Sequence, residues 1–380
     1  MIDVVVFGKD RYNTLGVIRS LGRYGIPVFL LLKKTATPSY CRLSKYVAKI
    51  KRVDTVDEGI RFLLNDYNSE DKSKTVIIPT SDSIVSRLDF YYDDLSNKFI
   101  FPNAGKKGSL VDIMDKAKMT EIASKSGLST PITIAYSCGD ELPENIPFPC
   151  LTKPAKSIEG SKAEIKVCNT VAELDAATSQ QKKGHKLLLQ QYIRKEYDVL
   201  LLGSRCPNGK IFLSGVFKKE RWISMGNDGS FGLITTDYAQ WFKKTTVERF
   251  LENLNYVGPF SIECGVEKEV PYFYEINLRN DGTSHYFDKT GFCNVYAWVM
   301  ECLNNTVEYS GEGSYFFVDE FGDFLNVITH QCTFKQWRHD KKKAIVYKYK
   351  NADDNKPMFV IFPYMLAQTI KNIVKIVFGK

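Results

Sequence analysis

"FYEINLRNDGTSHY", residues 273–286, decides how this chain is read. Its centre runs Glu275, Ile276, Asn277, Leu278, Arg279, an acid, an amide and a base spaced by single apolar residues. Strict alternation is the period of a half-buried β-strand, with successive side chains on opposite faces. Glu275, Asn277 and Arg279 are therefore expected on one face, and Ile276 and Leu278 on the other.

The stretch before it supplies a partner. "FSIECGVEKEVPYFYEINLR" reads as a hairpin turning around Glu267–Pro271, and pairing symmetric about Glu269 sets Glu263 opposite Glu275 and Ser261 opposite Asn277. Like charges facing each other across a ladder are destabilising. The pair makes sense where a divalent cation sits between the carboxylates. Hard oxygens from Glu263, Glu275 and Asn277 suit Mg²⁺, which takes a few carboxylates and completes its shell with phosphate oxygens. Arg279 follows on the same face as a phosphate clamp. The bland alternative is a row of solvated strand-face charges.

Three weaker elements precede the hairpin. "DKAKM" (115–119) sets Lys116 at a helix start, within reach of a nucleotide phosphate. "CLTKP" carries Lys153 at a strand end, followed by "AKSIEGSK" with Ser157, Gly160 and Ser161. A strand Lys before a Ser/Gly loop cradles phosphates through its ammonium and backbone N–H groups. This loop is no Walker A motif, because GxxxxGK[ST] is absent. "LLLQQYIRKEYDV" is a strand running into a polar hinge: the backbone of Gln190, Gln191, Tyr192 and Ile193 is expected to meet adenine, and Glu196 the ribose hydroxyls. Each motif is weak alone, and Lys116 by itself reads more readily as a surface Lys; their order carries the signal.

Bulk properties agree with a soluble, multi-domain protein. The 380 residues exceed one ordinary core. Hydrophobic residues make up 44% and charged residues 25%, with a net charge of +8. That mild excess suits anionic ligands, and without a basic stripe interleaved with aromatics it argues against nucleic acid. Nine cysteines without metal spacing read as reduced, buried thiols in a cytoplasmic protein. "MIDVVVFGKD" has no signal-peptide character, and no apolar run reaches membrane-spanning length.

Along the chain, "DVVVFGK", "NTLGVIRSLGRYG" and "IPVFLLLKK" read strand, helix, strand, with Leu15, Ile18, Leu21 and Gly22 on one helix face and Gly25 as the stop. This βαβ opening implies a parallel sheet. "TVIIPTSD" and "FIFPNAG" continue it to about residue 105, and "PTSDS" (79–83) is either a strand-end ligand site or a helix cap. "SLVDIMDKAKMTEIASKSGLSTP" reads as one amphipathic helix ending at Gly127, "HKLLLQQYIRKEYDVLLLG" as one long strand, and "RWISMGNDGSFGLITT" as a flexible Gly-rich stretch. In that stretch Arg221, with Lys218 just before it, is expected either to close over phosphate or to stay solvated.

The ordered set resembles the ATP-grasp superfamily, of the carboxylate–amine ligase type, similar to D-aspartate ligase and to the ATP-grasp domain of carbamoyl phosphate synthase. The resemblance covers roughly residues 1–310. It implies a mixed α/β and α+β fold: an N-terminal parallel-sheet preATP-grasp domain (1–105), an N-subdomain with a small lid (106–195), an antiparallel-sheet C-terminal subdomain with the Mg-ATP site (196–310), and a C-terminal extension (311–380). Under it Lys116, Lys153 and the hinge residues bind ATP. Glu263, Glu275 and Asn277 hold Mg²⁺, with Mn²⁺ as a substitute. Arg279, Asn277 and Lys153 are the catalytic set. The hinge departs from the family pattern, with Gln191 where an acid is usual and no Gly before Glu196.

The chemistry implied is ATP-dependent ligation. A carboxylate takes the γ-phosphoryl group to give an acylphosphate and ADP, and an amine or thiol displaces phosphate. Small-molecule carboxylates and amines are the expected partners, with an amino acid added to a cell-envelope or polysaccharide precursor as the finer expectation and a homodimer as the assembly. Asn280, Ser284 and His285 follow the metal strand toward the acceptor, His285 more readily as a structural residue. The competing reading is a catalytically silent ATP-binding sensor or scaffold. A biotin-type carboxylase would carry a biotinyl Lys in a Met-Lys-Met context, which does not occur. In the tail, Leu366, Ile370, Ile373, Val374 and Val377 follow helical spacing opposite Lys371 and Lys375. Docking on the core is expected; the alternative is peripheral contact with anionic lipid at the inner face of the membrane.

Overall fold

The computed structural model describes residues 4–68, 75–154, 165–223, 228–305, 307 and 311–378, with side chains to residue 376. It contains three sheets. The first is parallel: β1 (Val4–Lys9), β2 (Val28–Lys33), β3 (Val47–Val53), β4 (Thr75–Pro79) and β5 (Phe99–Ile100) lie in the order β3-β2-β1-β4-β5. β1 and β2 are apolar on both faces, because helices cover both sides of a parallel sheet. Leu15, Ile18 and Leu21 of the helix Tyr12–Arg23 pack one face with Val4, Val6 and Leu30. Ile60 and Leu63 of the helix Val56–Asn65 pack the other with Val5 and Phe7. Gly25, at φ 73°, lies just beyond the first helix, in the left-handed region that glycine enters without cost.

The second sheet is antiparallel: β6 (Thr133–Ser137), β7 (Cys150–Pro154), β8 (Lys166–Cys168) and β9 (Lys186–Gln191), in the order β6-β9-β7-β8. The third has seven strands: β10 (Tyr197–Arg205), β11 (Ile211–Trp222), β12 (Gly229–Thr235), β13 (Gly258–Glu267), β14 (Val270–Asn277), β15 (Ser314–Val318) and β16 (Ala344–Tyr347), in the order β14-β13-β10-β11-β12-β15-β16. Only β15 and β16 pair in parallel. These last two strands belong to the C-terminal extension, which thereby completes the large sheet instead of hanging from it.

Several local expectations change. The single helix read over 109–127 is two, Ser109–Ile113 and Lys116–Lys125. Asp115 divides them, its side chain accepting from the Ala117 and Lys118 N–H groups as an N-cap. The single long strand through Gln191 is two strands in different sheets, β9 and β10, separated by the hinge. The two ends of the Gly-rich stretch pair in the β11–β12 ladder, and residues 224–227 at its centre lie outside the described residues. Arg221 neither closes over phosphate nor stays solvated: it is buried, bidentate to Asp323 and bonded to Asp340 at 2.6 Å. Cysteines 41, 138, 150, 168, 206, 264, 293, 302 and 332 are buried, and none is in a disulfide.

The extension is anchored to the first helix by a buried charge. Arg19 donates to Asp354 Oδ2 at 3.0 Å and to the carbonyls of Tyr349 and Asp354, both at 2.7 Å. Removing one member of such a pair strands the other charge in low dielectric. Arg19→Ala is therefore expected to lower the unfolding free energy by roughly 3–5 kcal/mol, measured as a drop in the denaturant midpoint at unchanged slope.

Candidate active site

The site grows from the β13–β14 hairpin. Its two-residue turn, Lys268–Glu269, has φ of 51° and 65°, the sense of turn that matches the right-handed strand twist. From this turn the register alone would miss the Glu263–Glu275 pairing by one residue. A bulge at Tyr274 restores it: beyond the shift, Glu263 faces Glu275 and Ser261 faces Asn277. Tyr274 folds its ring over Gly265, where an added Cβ would lie 2.0 Å from the phenol oxygen. Ile276 and Leu278 are buried with Phe250 and Met119, so the opposite face carries Glu275, Asn277 and Arg279 into a cleft of about 630 Å³.

That cleft brings together Lys116, Lys153, Gln190, Gln191, Tyr192 and Ile193 with Glu263, Glu275, Asn277 and Arg279. The motifs are far apart in sequence, and all three sheets contribute. Lys116 opens its helix directly after the Asp115 cap. Lys153 is held down to about 8, first by burial and then by Lys116, with Glu275 opposing the shift. Ser157, Gly160 and Ser161 lie outside the described residues.

The carboxylate pair is electrostatically loaded. Burial raises Glu263 above the ordinary carboxylate range and Glu275 adds to the rise, while Lys219, 2.5 Å away, works against it. Burial would lower Lys219, but Glu263, Asp198 and Asp281 outweigh it and keep the ammonium charged. Among the described residues no group of three or more His, Cys, Asp or Glu forms a ready metal cluster. The donors present are two carboxylates and the Asn277 amide, whose Oδ1 accepts from Arg279 at 3.1 Å. Hard oxygens in that number fit Mg²⁺, which keeps part of its shell for phosphate and water. Arg279 also donates to Asp82 at 2.8 Å, across to the first sheet.

The hinge is partly engaged. The Gln191 N–H donates to the Ile132 carbonyl at 2.8 Å and the Tyr192 N–H to the Pro149 carbonyl at 2.9 Å. Glu196 is exposed; its Oε1 accepts from the Lys268 N–H at the hairpin turn, and it does not line the cleft. Asp198, two residues on, does line it and is 2% exposed. Its Oδ2 accepts from Lys195 and from the Trp222 indole, both at 2.6 Å, while its Oδ1 has no partner among the described residues.

Residues not anticipated from sequence complete the cleft: Lys219, Asp198, Arg11, Tyr12, Asp228 and Lys348. The Lys219 signal was present in "VFKKERW", charges inside an apolar strand, but its facing carboxylates come from β10 and β13. Lys348 belongs to the C-terminal extension, buried against Asp319 at 3.0 Å and over the Tyr12 ring at 4.4 Å. Thr80, Ser81 and Asp82 line the cleft at the carboxyl end of β4, beside β1, where the strand order reverses. This is the crevice where open α/β sheets bind ligands; Ser81 starts a helix without a side-chain cap bond. Asn280 does not face an acceptor: it exchanges hydrogen bonds with Asn13 at 2.7 and 2.8 Å and accepts from Ser284 at 2.9 Å. His285 is structural, pressed against Gly16 and pulled down to about 3 by burial and then by Arg19.

No protein-family model matches the chain. It is 23% identical over 218 residues to the carbamoyl phosphate synthase large chain of Saccharolobus solfataricus, covering 54% of this chain and 20% of that one. The Sulfolobus acidocaldarius large chain is 24% identical over 188 residues, covering 46% and 17%. The chain thus spans about a fifth of the length of the curated relatives it matches. Among solved structures, N5-carboxyaminoimidazole synthetase from Staphylococcus aureus superposes with a TM-score of 0.66 at 13% identity, covering 88% of this chain and 86% of that one. The biotin carboxylase domain of Hydrogenobacter thermophilus 2-oxoglutarate carboxylase, solved with MgADP, ADP and bicarbonate, gives 0.63 at 17%, covering 83% and 74%. Three sheets meeting at one cleft, with these likenesses over most of the chain, give this protein the ATP-grasp fold.

Proposed function

We propose that the chain is an ATP-dependent ligase that joins a carboxylate to an amine, or to a thiol, through an acylphosphate, releasing ADP and phosphate. One observation carries the reading: the Glu263–Glu275 pair, Asn277 and Arg279 open into the same cleft as Lys116 and Lys153. Two structural relatives support it, one solved with MgADP and bicarbonate, the other with a synthetase's name.

Glu263, Glu275 and Asn277 would hold Mg²⁺, which when bound would supply positive charge to neutralise the phosphates. The remaining work is positioning and charge. Lys116 and Lys153 meet the phosphates, and the hinge backbone at Gln190–Ile193 meets adenine. Asp198, with a free buried oxygen, is the ribose acceptor suggested by the geometry, in place of or beside Glu196. Arg279, turning from Asp82, spreads charge on the transferred phosphoryl group. The acceptor would enter at Arg11, Tyr12, Ser81 and Lys348. An amino acid added to a cell-envelope or polysaccharide precursor is the finer acceptor class to assay. The boundaries near residues 105 and 195 are the proposed domain limits, while the one near 310 falls within the large sheet, between β14 and β15. A silent sensor is disfavoured because the acid, amide and guanidinium set is complete.

With Mg-ATP and pooled carboxylates and amines, ADP is expected only when both pools are present. AMP instead of ADP, or turnover with neither pool, would overturn the ligase reading. Glu275→Gln is expected to cut turnover by roughly 10²–10³-fold while leaving the thermal midpoint unchanged or higher, since it removes one of two facing charges. Binding should also depend on pH. Lys153, with its pKa at about 8 in the free protein, loses its charge as pH rises through that value. Nucleotide affinity is therefore expected to be highest below pH 8 and to weaken from pH 8 to 9.5, by at most about tenfold per unit. Lys153→Arg, which stays charged, should flatten the profile in titration calorimetry.

A further inference from the structure

Phe359, Phe362, Leu366, Ile370 and Val374 recur every three or four residues on the helix Lys356–Phe378. All five are exposed, between 44% and 76%. The side of this helix that docks is different: Ile361 is buried, and Met358 and Met365 pack with it against the core around the first helix. The expected docking of the tail thus holds for its first turns, while Leu366, Ile370 and Val374 of the stripe named from the sequence face away from the core; Ile373 is half-buried and the Val377 side chain lies outside the described residues. Among the described residues no helix is long and apolar enough to cross a membrane.

The charge of the C-terminal segment is one-sided. Residues 331–380 contain eleven Lys and Arg against three Asp and no Glu, a net +8. The whole chain is also +8, so the first 330 residues are net neutral and the excess lies in the final fifty. The helix itself carries Lys356, Lys371 and Lys375 and no acid. At about 100° per residue, Lys371 and Lys375 lie beyond the Val374 edge of the stripe, on one side of it. The basic helix Phe334–Lys343, with Lys335, Arg338, Lys341, Lys342 and Lys343, is tied to the same region: Phe321 packs on Phe362 and Phe324 on Trp337, in one short segment.

We infer that this helix lies in the surface of an anionic phospholipid bilayer, its exposed apolar stripe among the acyl chains and its lysines at the headgroups. An apolar stripe with cations beside it, too polar to span, is the pattern of an interfacial helix. Lys and Arg side chains near an anionic leaflet add an attraction that neutral lipid does not supply. A second copy of the chain is the poorer occupant, because a two-fold interface sets the same patch against itself and would bring two basic, acid-free helices together. The inference does not depend on the proposed activity, and its test uses no nucleotide.

The test is flotation of the full chain with vesicles of phosphatidylcholine alone and of equimolar phosphatidylcholine and phosphatidylglycerol. Partition onto the anionic vesicles is expected to be at least about tenfold higher and to fall when salt is raised to about 0.5 M. The double variant Leu366→Glu, Ile370→Glu replaces two exposed side chains. It should keep the circular dichroism and thermal midpoint of the parent and lose vesicle binding; Lys371→Glu, Lys375→Glu should lose it too. Equal partition onto both vesicle types, partition onto neither, or full binding by the first variant would overturn the inference. So would a dimer in sedimentation equilibrium that the first variant converts to monomer.

Discussion

Two carboxylates held face to face, Glu263 and Glu275, are the constraint around which the rest of the molecule is arranged. Such a pair is unfavourable unless positive charge is brought to it. In the free protein Lys219 supplies that charge, itself held ionised by Asp198 and Asp281. Lys153 and Lys116 stand across the cleft, where mutual repulsion and burial leave Lys153 easily discharged. The site is thus an array in which carboxylates and ammonium groups share one cleft.

Holding that array requires all three sheets. The parallel sheet contributes the strand-end residues Thr80 to Asp82, and Asp82 is bonded to Arg279. The small sheet contributes Lys153 and the hinge, and the large sheet the carboxylates. Asn13 and Asn280 lock the first helix to the end of β14 through buried hydrogen bonds, which cost free energy to leave unmade. The C-terminal extension is part of the same construction: β15 and β16 finish the large sheet, Lys348 enters the cleft, and Asp354 takes the charge of Arg19. The helix that follows continues away from this anchored region with an apolar side uncovered.

Where a signal is local, the amino-acid order alone determined it. The alternation of Glu275, Asn277 and Arg279 with buried Ile276 and Leu278 follows from the two-residue period of a strand. The βαβ opening follows from its apolar runs and from Gly25. The pairing of Glu263 with Glu275 was readable too, although the path to it was not: the turn sits one position off, and the Tyr274 bulge makes up the difference. Asp115 is an N-cap by type, yet one amphipathic pattern running through it concealed the break between two helices. What only the tertiary structure decided concerns partners distant in sequence. Lys219 and Asp198 matter because β11, β10 and β13 are neighbours. Lys348 matters because the last strands return to the first helix. Arg221 is a buried ion pair because Asp323 and Asp340 converge on it. No residue's own spacing encodes such meetings, since the energy of a buried charge depends on which opposite charge the fold brings within a few ångströms.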